Sequence, residues 1–273
     1  QLVTGPANAT DHRIKWTSSN KTAATVDENG TVTALRPIET VTITAVYKTN
    51  PALTCSWNLK ITRTKGYITK QMLDNLDLTA IKKVMITAHP DDETLWGGGH
   101  LIEGEYLVVC MTHGWNPKRR TAFEQTMRTT NDKYLILDYP DVRKTFSNGK
   151  YETDMLSTCK NAMQEDINLI LSYKKWDLIA THNPFGEYGK FLHKTISQMV
   201  TQCYNKMTNK SATLYYFGRY YNSSNKIPGE QIAPELLAIK NSMVDRYYPT
   251  AKGAIVAFGH MIPYENWLLP SEW

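Results

Sequence analysis

The stretch Met85 to His100, MITAHPDDETLWGGGH, places His89, Asp91, Asp92 and Glu93 directly behind an apolar run. Histidine and carboxylate side chains bind divalent cations and move protons near neutral pH. On its own the stretch fits either a solvated acidic turn or half of a metal site whose other half lies elsewhere. A second cluster downstream, THNPFGEYGKFLH, supplies His182 and His193. A His/Asp/His set suits Zn²⁺, because three protein ligands leave the fourth tetrahedral position to water. Such a cation draws the pKa of that water toward about 7, and a carboxylate that does not coordinate can take the proton. Asp91 and Asp92 are adjacent, so their side chains leave the strand end in different directions and can divide these tasks.

The pattern from Tyr67 onward says how the two clusters meet. VMITA, YLVVCMTHG, WDLIATHN and ATLYYFGRYY read as strands. ITKQMLDNLDLTAIKK, the stretch from about Arg120 to Leu135, DMLSTCKNAMQEDINLILSYKK and KFLHKTISQMVTQCYNKM have helical spacing, and GEQIAPELLAIKNSMVDRYY closes the series. Alternating strands and helices predict an α/β fold, a Rossmann-like layered domain on a mostly parallel sheet. In such a sheet ligands gather outside the carboxyl ends of the strands. His89, Asp91 and Asp92 follow VMIT, and the loop 182–190 with His193 follows DLIAT, so topology alone brings both clusters to one rim. WGGGH lacks the spacing of a phosphate loop; with Glu93, it is expected to form a tight turn against the sheet.

Residues 1–63 have a different period. RIKWTSS, AATVDE, TVTALR, TVTITAVYK and SWNLKITR are short strands separated by turn residues, which predicts a small all-β sandwich ahead of a domain at 67–273. Asn29-Gly30 is expected to make a two-residue hairpin turn.

The totals exclude several classes. The 273 residues are 41% hydrophobic and 21% charged, ordinary globular values. The net charge of +5 is spread along the chain except at Lys118-Arg119-Arg120, which gives nucleic-acid binding no support. No apolar run approaches the roughly 18–20 residues of a membrane span. The four cysteines form no metal-binding or disulfide framework. The chain starts at Gln1 and shows no signal peptide. Oligomeric state is not readable.

Two family resemblances add to this. IKWTSSNKTAATVDENGTVTALRPIETVTITAVY resembles the bacterial immunoglobulin-like domain of the Big-2 type, with the family's opening strand missing. That resemblance implies a secreted or cell-surface bacterial protein. AHPDDE together with THNPFGEYGKFLH resembles the LmbE/PIG-L family of zinc-dependent de-N-acetylases, over roughly Lys83 to Lys194. RRTAFEQTMRTTNDKYLILDYPD fits that family more loosely. The resemblance implies His89, Asp92 and His193 as ligands of Zn²⁺ or another divalent cation, Asp91 as general base, and Tyr188 as an aid to the oxyanion. It implies an N-acetylglucosamine-like sugar or glycan as substrate.

One position departs from the family. Lys190 stands where members carry a histidine. It can supply positive charge at the oxyanion, leave Asp91 to shuttle the proton alone, or mark an inactive site. The rival functions are a glycan-binding protein without turnover and a metallohydrolase of another amide or ester. Candidate substrate contacts are Arg120, from the Arg119-Arg120 pair; His113, behind the second strand; Asn183, in the key loop with Glu187; and His260, in the polar-aromatic FGHMIPYENW.

Overall fold

The computed structural model describes residues 13–141, 154–208 and 210–273. The chain divides into two compact units, with the break between Thr64 and Lys65 and a short segment ending at Cys159 joining the first.

The first unit holds β1 (Ile14–Ser18), β2 (Ala24–Val26), β3 (Val32–Ala34), β4 (Ile38–Tyr47) and β5 (Thr54–Ile61). β4 lies antiparallel between β1 and β5, and β2 pairs with β3 as a hairpin. Along β4 the residues Val41, Ile43 and Ala45 are buried and their neighbours less so, the alternation a pleated strand imposes. The hairpin forms, but its turn is not the expected two-residue one: residues 27–31 connect the strands. Asp27 Oδ1 accepts the backbone N–H groups of Asn29 (2.9 Å) and Thr31 (2.8 Å), and only Gly30 takes a positive φ, 82°. A two-residue turn needs positive φ at both centres. The missing opening strand concerns residues outside those described.

The second unit begins with α1 (Lys70–Asn75), β6 (Lys83–Thr87), α2 (Asp92–Glu103), β7 (Tyr106–Thr112), α3 (Pro117–Thr130) and β8 (Lys133–Tyr139). α4 (Asp154–Ser157) belongs to the first unit. Then follow α5 (Lys160–Tyr173), β9 (Leu178–His182), the kinked turn α6 (Gly186–Gly189), α7 (Phe191–Lys206), β10 (Thr213–Phe217) and α8 (Pro234–Phe258). The five strands form a parallel sheet in the order β10-β9-β6-β7-β8. The order reverses between β6 and β9, and the crevice beyond their carboxyl ends is where such folds bind ligands. No helix among the described residues is long and apolar enough to cross a membrane.

Three expectations need correction. The helix expected through Leu135 stops at Thr130. Asn131 there adopts the left-handed conformation, φ 60°, and β8 follows as the edge strand. The WGGGH turn is instead the interior of α2. Glycine disfavours helix by about 1 kcal/mol, and packing explains its presence. A Cβ on Gly98 would lie 2.9 Å from Lys240 Cγ, and one on Gly97 would lie 2.7 Å from Met85 Cε. The last helix runs on to Phe258, past Pro249 and a non-helical Ala251.

Candidate metal centre

β6 carries the chain to Ala88, and α2 starts at Asp92. Between them Asp91 is held at φ 141°, a conformation L-residues rarely adopt. The turn has visible restraints. Asp92 Oδ2 accepts the N–H of His89 at 2.8 Å, and Glu93 Oε2 accepts that of Asp91 at 3.1 Å. Glu93 Oε1 in turn takes the Tyr247 hydroxyl at 2.6 Å. The Asp91 carboxylate makes no bond to the helix start, and Arg119 stands 4.0 Å from its Oδ1.

β9 and α7 bring His193 to the same place. His89 Nδ1 lies 2.9 Å from His193 Nε2 and 3.3 Å from Asp92 Oδ2, and His193 Nε2 lies 3.4 Å from that oxygen. Tetrahedral zinc with bonds of about 2.0–2.1 Å separates its ligand atoms by about 3.3 Å. Two of the three separations match, and the third is a few tenths short. The donor set therefore fits a divalent cation.

The far side of each ligand ring faces a carboxylate. His89 Nε2 is 2.9 Å from Asp141 Oδ1, and His193 Nδ1 meets Glu187 Oε2. With each of these nitrogens donating, Nδ1 of His89 and Nε2 of His193 turn lone pairs inward, the usual arrangement behind metal-bound histidine. His182 lies in the same cluster but is not a free donor: its Nε2 already accepts the N–H of Ala88 at 2.9 Å.

Charge and burial pull against each other here. Burial opposes the charged ring of His89, but Asp141 and Asp92 outweigh it and lift its pKa to about 9. Burial alone would raise Asp92; instead His193 and His182 hold it well below the usual carboxylate range. Asp141 is depressed likewise, chiefly by His89. Burial lowers His193, which favours the neutral ring a ligand needs. Asp91 goes the other way: burial and the Asp92 charge push it up to about 7, against the pull of Arg119 and His89.

The cluster forms the floor of a cavity of about 800 Å³. Among the sequence-predicted residues, His89, Asp91, Asp92, His113, Tyr188, Lys190 and His193 line it. Tyr188 is half exposed, and burial of the rest, with Asp92 nearby, holds its hydroxyl protonated far above neutrality. His113 Nε2 stands 3.6 Å from Asp141 Oδ2, so it joins the floor through that acid.

Three predicted substrate contacts fall elsewhere. Arg120 turns to Glu124 (3.0 Å) and the Gly114 carbonyl (3.4 Å); the arginine on the wall is Arg119. Asn183 is fully buried, and its amide secures the loop by donating to the Phe217 and Gly218 carbonyls. His260 bonds the Tyr221 carbonyl at 2.8 Å and is not among the lining residues.

Arg119 also binds the Pro90 and Thr250 carbonyls, 3.3 and 3.0 Å away, and comes within 4.0 Å of Asp91 Oδ1. Asp141 was not anticipated, although it follows β8 at the carboxyl edge, at the end of the stretch RRTAFEQTMRTTNDKYLILDYPD. The apolar wall contributed by α8, with Ala251, Ala254 and Phe258, has no local sequence signal.

Comparison with known proteins supports the Ig-like character of the first unit. Residues 2–56 match the bacterial Ig-like domain (group 2) family, whose members are typical of bacterial surface or secreted proteins. Over 175 residues the chain is 31% identical to "Uncharacterized protein L374" of Acanthamoeba polyphaga mimivirus, covering 58% of this chain and 67% of that protein. Over 94 residues it is 33% identical to "Uncharacterized protein CA_P0160" of Clostridium acetobutylicum, covering 34% of this chain and 10% of that one. The conserved protein TT1542 from Thermus thermophilus superposes with a TM-score of 0.47 at 13% identity, over 70% of this chain and 94% of its own. By the extent and identity of the first match, the chain belongs to the family of mimivirus protein L374.

Proposed function

We propose that the chain is a divalent-metal-dependent hydrolase that removes the N-acetyl group from an N-acetylglucosamine-like sugar or glycan, with zinc as the cation. The observation that carries the reading is the convergence of His89, Asp92 and His193 beside the Asp91 carboxylate in one cavity. The likeness of AHPDDE and GEYGKFLH to LmbE/PIG-L deacetylases supports the amide and the sugar. The Ig-like module supports a place outside the cell or on its surface.

When bound, the cation would polarise the amide carbonyl and acidify a water. Asp91 takes the proton from the attacking water and passes it to the departing amine, the two steps of general base and general acid. Arg119 draws the Asp91 carboxylate toward Pro90 and the floor. Tyr188, kept protonated, donates to the carbonyl oxygen as negative charge develops there. Lys190, on the same wall, adds positive charge where the family has histidine.

The test is acetate release from N-acetylglucosamine and chitooligosaccharides with Zn²⁺, before and after chelation. Metal-dependent release from amides supports the reading. Release from acetate esters alone would reassign the reaction, and no release with glycan affinity retained would make the protein a binding module.

A further inference from the structure

Glu187 is outside the ligand set and off the cavity wall, yet the structure takes unusual trouble to place it. It holds φ 56° in a turn whose neighbours Gly186 and Gly189 also have positive φ, 62° and 104°. Its side chain is wholly buried, a costly place for a carboxylate unless every lone pair finds a donor. Gly218, itself at φ 76°, makes the room: a Cβ there would lie 2.8 Å from Glu187 Cγ.

The two oxygens reach two rings. Oε1 lies 2.9 Å from His182 Nδ1, and Oε2 meets His193 Nδ1. We propose that Glu187 is a positioning residue whose single carboxylate sets the tautomers of both histidines and so locks the two halves of the metal centre together. The proposal rests on the metal-centre reading.

The chemistry requires a carboxylate. Both facing atoms are Nδ1, and an ionised acid only accepts, so both rings must carry their proton there. His193 then turns the Nε2 lone pair to the cluster. His182 turns its Nε2 lone pair to the N–H of Ala88, at the end of β6 immediately before His89. One acid after β9 thereby fixes where the chain leaves β6. An amide in its place would accept on one side and donate on the other. One ring would then flip, surrendering either the ligand atom or the bond to Ala88.

The experiment has two arms. ¹⁵N-histidine spectra of the metal-free protein, at a pH where the rings are neutral, are expected to show His182 and His193 both protonated on Nδ1. A proton on Nε2 of either ring would overturn the proposal, whether or not metal binds. Competition for Zn²⁺ with a chromophoric chelator is then expected to show affinity falling about ten- to a hundredfold in Glu187→Gln. Unchanged affinity in a folded Glu187→Gln would overturn it too. Wild-type protein that binds no Zn²⁺ while both rings keep their Nδ1 protons would sink the metal reading and leave the tautomer lock standing.

Discussion

The two halves of the candidate centre are built by opposite means. On the β6 side, His89, Asp91 and Asp92 come from one short segment, and a strand end and a helix start fix their directions. On the β9 side, His193 is reached only through a kinked turn in which Gly186, Glu187 and Gly189 take positive φ, and a buried acid holds that turn. The first half is fixed by local chain geometry. The second is tied down by the Glu187 bonds to His182 and His193 and by the Asn183 amide on the Phe217 and Gly218 carbonyls, and it carries the half-exposed Tyr188 and Lys190 into the cavity. Ligands and base thus form the floor of the cavity, while Tyr188 and Lys190 stand on its wall.

If this division is right, the floor should be far less tolerant than its surroundings. Asp91→Asn should lower kcat by about 10²–10⁴, the usual contribution of a general base, with Zn²⁺ affinity nearly unchanged. A parallel loss of metal would make Asp91 a ligand instead. Beneath the floor, Gly98→Ala sets a helix-propensity gain of about 1 kcal/mol against overpacking of about 1–3 kcal/mol on the pinned Lys240. The expected net is about 1 kcal/mol lost in urea denaturation; a gain would mean that α8 can retreat. At the wall, Arg119→Ala should reduce kcat/KM about tenfold, in line with a lost charge-assisted bond. Arg120→Ala should stay within about twofold, since its partners are Glu124 and Gly114. Equal effects would erase the distinction between the neighbours.

A buried acid away from the centre serves as a control. Burial pushes the Asp132 carboxyl up to about 7, while it accepts the Tyr106 N–H at 2.7 Å. A folded pKa raised above the unfolded value near 4 means the native state binds the proton more tightly. The contribution of Asp132 to stability is then fullest below about pH 4 and is lost as pH rises through about 7. Asp132→Asn should flatten that part of the slope in pH-dependent melting between those limits. An unchanged slope would assign the pH dependence to other groups.

The sequence was readable where causes are local. Strand–helix alternation predicted the parallel sheet, and an apolar run ending in His-Pro-Asp-Asp marked the edge where the crevice lies. Alternating Val, Ile and Thr residues predicted the strands of the first unit. What was not readable depends on distant partners. Arg119 rather than Arg120 reaches the cavity because Asn116 caps α3 and fixes its helical phase, with Thr250 of α8 as the receiving carbonyl. The glycines at 97–99 looked like a turn because their reason, Lys240 and Met85, is remote in sequence. Asp141 and Glu187 each look like ordinary loop acids until the rings they face are in view.

The central claim is that His89, Asp92 and His193 hold one divalent cation together. Calorimetric titration of metal-free protein with Zn²⁺ tests it most directly, alongside Asp92→Asn and His193→Ala. A single tight site is expected in the wild type, weakened by about a hundredfold or more in both variants. Tight binding that survives either substitution, or no saturable binding in the folded wild type, would contradict it.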